Sequence, residues 1–180
     1  MKKIVGIVLV VAALAGCYPR AEWNTNKITM LENKIFADAK NKVIDSAGIM
    51  SLLNAYESYA AANPHSPKAA EYLYKAADFY RALGKPLRSI ALYQTLYENF
   101  PEKRSTALFL QGFVFENEVH NLDNAQLKYH QFLKEFPNDQ LANDVRLSLQ
   151  NLGKTPEQLV QEFIAKQKLD SLNQAQAQVK

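Results

Sequence analysis

Ile90-Ala-Leu-Tyr-Gln-Thr-Leu-Tyr-Glu-Asn-Phe-Pro101 and Gln126-Leu-Lys-Tyr-His-Gln-Phe-Leu-Lys-Glu-Phe-Pro137 are two copies of one text, an apolar stripe that runs into a proline. The apolar residues are Ile90, Tyr93, Leu96, Tyr97 and Phe100, then Leu127, Tyr129, Phe132, Leu133 and Phe136. Their helical intervals predict one buried face on each segment. Proline ends each segment because it lacks an N–H and drives the residue before it out of the helical region. Pro64 extends the pattern: Pro64, Pro101 and Pro137 lie 37 and 36 residues apart, and Tyr56, Tyr93 and Tyr129 each stand eight positions earlier. A period in the thirties points to a repeat of helix pairs.

Each of these segments follows another helical one. Pro67 to Leu83 carries Ala69, Ala70, Leu73, Ala76, Ala77 and Tyr80 and closes on Gly84, a residue suited to the left-handed end of a helix. The next pair is expected to begin near Glu102, run through Leu108, Gly112 and Phe115 to about Val119, break at His120-Asn121 and resume at Leu122 or Asp123. A third begins after Pro137, passes Leu141, Val145, Leu149 and Leu152 to Gly153, and restarts at Thr155-Pro156, a cap and a first-turn proline. Such hairpins cannot bury their apolar faces singly, so they stack. No Asn-Gly or Asp-Gly hairpin turn competes with this all-α reading.

The pattern resembles the tetratricopeptide repeat. Leu73, Ala76, Ala77, Tyr80, Gly84, Ser89, Tyr93, Leu96 and Pro101 stand at that family's signature positions, with Ser89 where alanine is usual. Leu108, Gly112, Phe115, Ala125, Tyr129, Phe132 and Pro137 do the same once an extra residue is admitted in the turn near His120, which lacks the usual glycine. The pairs before Pro64 and after Asn138 fit in part, giving two full and two partial repeats of a superhelix. Gly112 falls inside a helix, where glycine costs about 1 kcal/mol against alanine. The resemblance supplies a reason, the close approach of the paired helix.

The first residues carry a different message. Lys2-Lys3, the apolar run Ile4 to Leu14 and the small pair Ala15-Gly16 before Cys17 read as an export signal. Thirteen residues from Ile4 to Gly16 reach about 20 Å as a helix, short of the roughly 30 Å hydrocarbon core. Leu14-Ala15-Gly16-Cys17 is similar to the lipobox of bacterial lipoproteins, which implies cleavage before Cys17 and covalent lipid, including palmitate, on that residue. Tyr18 in place of aspartate favours the outer membrane, periplasmic face. The expected organisation is a signal peptide (1–16), a lipidated tether (17–26), a repeat domain (27–168) and a polar tail (169–180) that either extends the last helix or frays. Within the tether, Trp23 either touches lipid headgroups or packs on the first helix.

Without Lys2 and Lys3 the formal charge falls from +3 to +1, which leaves no basic footprint for nucleic acid. With its single cysteine committed to lipid, the fold has no disulfide to lean on. An enzyme is not expected. His65, His120 and His130 lack metal-ligand spacing, no nucleophile elbow, phosphate loop or His-Glu-x-x-His occurs, and Glu116 and Glu118 point to different helix faces. Neither a cofactor nor a small-molecule substrate is implied.

What remains is binding. The resemblance assigns groove-facing positions to Glu71, Tyr74, Asp78 and Arg81, then Thr106, Phe109, Phe113 and Glu116, then Asn143, Leu147 and Gln150. The helix around Phe109 and Phe113 is apolar nearly all round. Either its neighbours or the 23–43 segment cover it, or the two rings form an apolar floor for a peptide, with Arg81 and Asp78 at the rim. The Tyr129-to-Pro137 text is similar to that of the BamD group of β-barrel assembly lipoproteins, which carry more repeats. That likeness implies a lipid-anchored scaffold for a protein or peptide partner in the envelope. The alternatives are a coordinator of cell-wall synthesis or division and a pilotin-like accessory of a secretion system.

Overall fold

The computed structural model of the chain describes residues 25–41 and 45–177, and within them every regular element is helical. Cys17, Trp23 and residues 1–16, on which the export-signal expectation falls, lie outside the described residues. The helices are α1 (Thr25–Lys40), α2 (Ser46–Ala62), α3 (Pro67–Ala82), α4 (Pro86–Asn99), α5 (Arg104–Asn117), α6 (Leu122–Glu135), α7 (Ala142–Asn151) and α8 (Pro156–Ala177). From α1 to α7 each packs along the next, as stacked hairpins joined by short turns require. α1 opens at Thr25, within the stretch assigned to the tether. α8 continues through the polar tail to Ala177, so the tail extends the last helix.

Local chemistry sets the helix starts. The Asp45 carboxylate accepts from the Gly48 N–H at 2.8 Å, the Ser66 hydroxyl from Lys68 N–H at 3.2 Å ahead of Pro67, and the Asn121 amide oxygen from Asn124 N–H at 3.0 Å. Thr155 and Gln158 cap reciprocally: the Gln158 N–H donates to Thr155 Oγ1 at 3.3 Å and the Thr155 N–H to Gln158 Oε1 at 2.8 Å. After Pro101 the chain makes one 3-10 turn, Pro101–Lys103, before α5 begins.

Three turns between consecutive helices hold a left-handed residue, one of them Gly153 after α7 with φ +76°. Gly84 supplies it after α3 with φ +66°, and the Lys85 N–H closes on the Tyr80 carbonyl at 2.8 Å. After α5 the same job falls to His120, with φ +55°. There the Asn121 N–H reaches back to the Phe115 carbonyl at 2.8 Å, one residue wider than at Gly84, which absorbs the extra residue the sequence carries. A side chain in this region costs about 1–2 kcal/mol, part of which glycine returns to the unfolded chain. His120→Gly is therefore expected to raise stability by up to about 1 kcal/mol. A melting temperature that falls would show that the imidazole itself holds the turn.

Two apolar clusters meet across α5. The larger runs from Ile28 and Ile35 through Leu52, Tyr56, Leu73, Tyr80, Tyr93 and Leu96 to Ala107 and Val114. The smaller joins Leu108 to Ala125, Tyr129, Phe132, Ala142 and Val145. α5 is apolar nearly all round because it serves both: Leu110 and Phe113 pack on the first cluster, Phe109 and Phe115 on the second. Fully buried Ser89 fills the position where the repeat usually has alanine. Leu127 departs from the expected stripe and is 61 % exposed. The buried face of α6 is Ala125, Tyr129 and Phe132, and two positions along a helix from Ala125 or Tyr129 is the far side.

The repeat tyrosines do more than fill space. Each hydroxyl donates to a carboxylate on the helix before its own: Tyr56 to Glu32 at 2.7 Å, Tyr93 to Asp78 at 2.8 Å, Tyr129 to Glu116 at 2.7 Å. A buried ring thus ends in a satisfied polar tip within every hairpin from α1 to α6.

Candidate partner-binding face

α3, α5 and α7 present the residues assigned to the inner face, and the structure divides them. Tyr74 is 38 % exposed, with its ring 6.2 Å from that of Tyr93. Asp78 is engaged by the Tyr93 hydroxyl and, at 3.5 Å, by Arg81. Arg81 donates from Nε to Glu118 at 2.6 Å and lies 5.1 Å over the Phe113 ring, so it ties α3 to the end of α5. Phe109 and Phe113 are half-buried with centroids 6.4 Å apart, and Phe109 stands the same 6.4 Å from Tyr129. Glu116 holds the Tyr129 hydroxyl. Asn143, exposed on α7, accepts from Arg146 at 2.8 Å. Asp78, Arg81 and Glu116 therefore each already have a partner within the fold.

The concavity lies beside this set, nearer the start of α5. A cleft of about 480 Å³ opens between α3 and α5 with α4 behind it. Ala70, Tyr93, Leu96, Ala107 and Leu110 make an apolar lining, and Tyr74, Glu71, Thr106, Glu102 and Lys103 line it with polar atoms. Tyr74, Glu71 and Thr106 were among the positions read from the sequence. Glu102, Lys103 and Leu110 were not, because the first two belong to the 3-10 turn after Pro101 rather than to a helix face.

The rim charges differ in their freedom. Glu71 accepts from Lys68 at 2.7 Å and Lys75 at 2.9 Å, and these bonds hold its carboxyl below the usual range. Lys75 reaches on to Glu32 at 2.8 Å. Glu102 and Lys103 have no side-chain partner among the described residues, which leaves one free charge of each sign at the mouth of an apolar cleft. Among the described residues, no group of three or more His, Cys, Asp or Glu side chains is placed to hold a metal, and no helix is long and apolar enough to cross a membrane.

A family profile described as a tetratricopeptide repeat matches residues 71–103. That stretch is similar to one tetratricopeptide repeat. The matched stretch covers most of α3, all of α4 and the 3-10 turn that begins at Pro101. The all-helical stack on either side agrees with that repeat fold. Tetratricopeptide domains bind protein or peptide partners, and the cleft is built largely from this one unit and the start of α5. No curated protein and no solved structure matches the chain.

Proposed function

We propose that this protein is a lipid-anchored scaffold of the bacterial envelope that holds an extended segment of a partner protein on its inner face. The observation that carries the reading is the α3–α5 cleft, apolar within and bordered by the unpaired Glu102 and Lys103. Such a site suits a peptide with one aliphatic or aromatic anchor flanked by charges of both signs, and water-excluding pockets of this kind concentrate binding energy. Attachment through Cys17 would confine the scaffold to the membrane plane and raise the effective concentration of neighbouring partners. The periplasmic face of the outer membrane, and service to proteins being assembled there, fit the lipobox-like text and the likeness to the BamD group.

Photo-crosslinkers at Tyr74 and Thr106, compared with Leu127 on the outer side, test the binding face in intact cells. The cleft positions should trap a discrete partner and Leu127 should not; the opposite pattern removes the cleft from the function. Lys103→Glu places two acids at the mouth and should lower the trapped yield about three- to tenfold, the equivalent of about 1 kcal/mol. The anchor has its own readout: acyl mass on Cys17, and release from the membrane fraction in Cys17→Ser.

A further inference from the structure

The α3–α5 cleft lies within reach of a segment of the chain itself. α1 lies antiparallel to α2, with Lys34 in the second half of α1 bonded to Asp45 at the start of α2 at 3.0 Å, and α2 turns back into α3 through Asn63 to Ser66. α1 and α3 therefore start at one end of the stack, and the cleft takes Pro67 and Glu71 from the first half of α3. Ion pairs fix the register between the two helices: Glu32 on α1 accepts from Lys75 at 2.8 Å, and Lys75 also donates to Glu71, on the rim, at 2.9 Å. Seven residues back along both helices, Thr25, where α1 opens, stands level with Lys68, beside the Pro67 wall of the cleft.

We propose that residues 18–24 form an internal ligand that occupies the cleft until a partner displaces it, with Tyr18 as the anchor and Arg20 paired with Glu102, a step that rests on the cleft being the partner site proposed above. The length suffices. Seven residues span at most about 24 Å. Helices in contact lie about 8–10 Å apart, so the segment can cross the start of α3 and enter the cleft beyond it. Charge and anchor also match: Tyr18-Pro19-Arg20-Ala21-Glu22 offers one aromatic ring and a charge of each sign, and the mouth holds Glu102 and Lys103, likewise one of each. Pro19 fixes its own φ and disfavours the helical region for Tyr18, which suits an extended run along a groove. Trp23 is the poorer anchor, since two residues from Thr25 it reaches only about 7 Å, short of the far side of α3. Joined to the site by so short a link, the segment competes at an effective concentration on the order of millimolar, so a partner must bind tightly or be concentrated beside it to displace it.

The test uses the full chain in its own membrane. Arg20→Cys combined with Glu102→Cys, mildly oxidised, should give a disulfide within one chain; neither Glu102→Cys alone nor Arg20→Cys combined with Leu127→Cys on the outer side should. A disulfide-linked dimer means that the segment enters a second copy, and that result, or no disulfide at all, overturns the proposal. The second readout is the partner trapped by a photo-crosslinker at Thr106. Arg20→Glu, which sets two acids against each other and leaves the cleft unaltered, should raise the trapped yield about three- to tenfold. A partner trapped equally well with and without Arg20→Glu overturns the internal ligand and leaves the partner site standing. If the disulfide within the chain forms while Thr106 traps no partner even in Arg20→Glu, the internal ligand is upheld and it is the partner site that falls.

Discussion

Gly112→Leu is expected to unfold the hairpin of α5 and α6, with a loss above about 4 kcal/mol. A Cβ at Gly112 would sit 2.5 Å from Cε1 and 2.6 Å from Cδ1 of Tyr129, distances that real side chains do not tolerate. The ring has no room to retreat. Tyr129 is fully buried, its hydroxyl is held by Glu116 at 2.7 Å, and Phe109 stands against it. Even Gly112→Ala sets a gain of about 1 kcal/mol in helix propensity against an overpacking cost of about 1–3 kcal/mol, and should destabilise. Gly84→Ala serves as the comparison, since nothing lies within 4 Å of that Cβ and only the positive φ resists it. Hydrogen exchange should show protection lost in α5 to α7 while α1 to α3, buried in the larger cluster, retain it. An unchanged melting temperature in Gly112→Leu would mean that α5 and α6 do not meet at this residue.

The same residue shows why so much of the fold was legible. A glycine inside an otherwise strong helix has no local rationale, so it reports a tertiary contact, and the resemblance to the tetratricopeptide repeat already implied that the paired helix makes it. Boundaries were readable wherever a cap or a proline carries the signal, as at Ser66-Pro67 and Thr155-Pro156. Leu127 was misplaced because two positions either side of a helical stripe look alike in a short apolar run. The His120 turn was visible only as a missing glycine; that histidine takes the left-handed conformation follows from closure geometry, which no residue type announces.

The candidate binding face was less legible, for a physical reason. The groove-facing positions of α3 and α5 were assigned from the resemblance to the repeat, and such an assignment says nothing of whether a side chain's charge is free. Asp78 and Glu116 look like available carboxylates in sequence. In three dimensions each accepts a core tyrosine hydroxyl, across 15 and 13 residues respectively, so no common spacing betrays the pairing. Glu102 and Lys103, the charges without partners, sit in a turn that helical periodicity passes over. Exposed apolar residues on α8 were hidden similarly, because Val160, Phe163 and Ile164 stand open to solvent with little packing of α8 on the other described helices.

Truncating one of the repeat tyrosines should be nearly as damaging as crowding it. Tyr93→Ala is expected to cost about 3–5 kcal/mol, since a fully buried ring leaves a cavity between α3, α4 and the larger cluster. Tyr93→Phe keeps the ring and removes only the bond to Asp78, whose side chain is 44 % exposed, so water replaces the phenol and the loss should stay below about 1 kcal/mol. A large effect of Tyr93→Phe would instead make the hydrogen bond, not the packing, the source of stability. The pH dependence follows from the same contacts. Burial, then the neighbouring carboxylate, pushes the Tyr56, Tyr93 and Tyr129 phenols above their ordinary value near 10. Because the folded chain keeps protons that the unfolded chain releases, their contribution is complete below about pH 10 and declines as pH rises above it. In an alkaline titration followed by phenolate absorbance, these three of the nine tyrosines should ionise only as helical circular dichroism disappears. If all nine ionise near pH 10 with the helices intact, the tyrosine–carboxylate contacts do not exist in solution, and the hairpins are held by apolar packing alone.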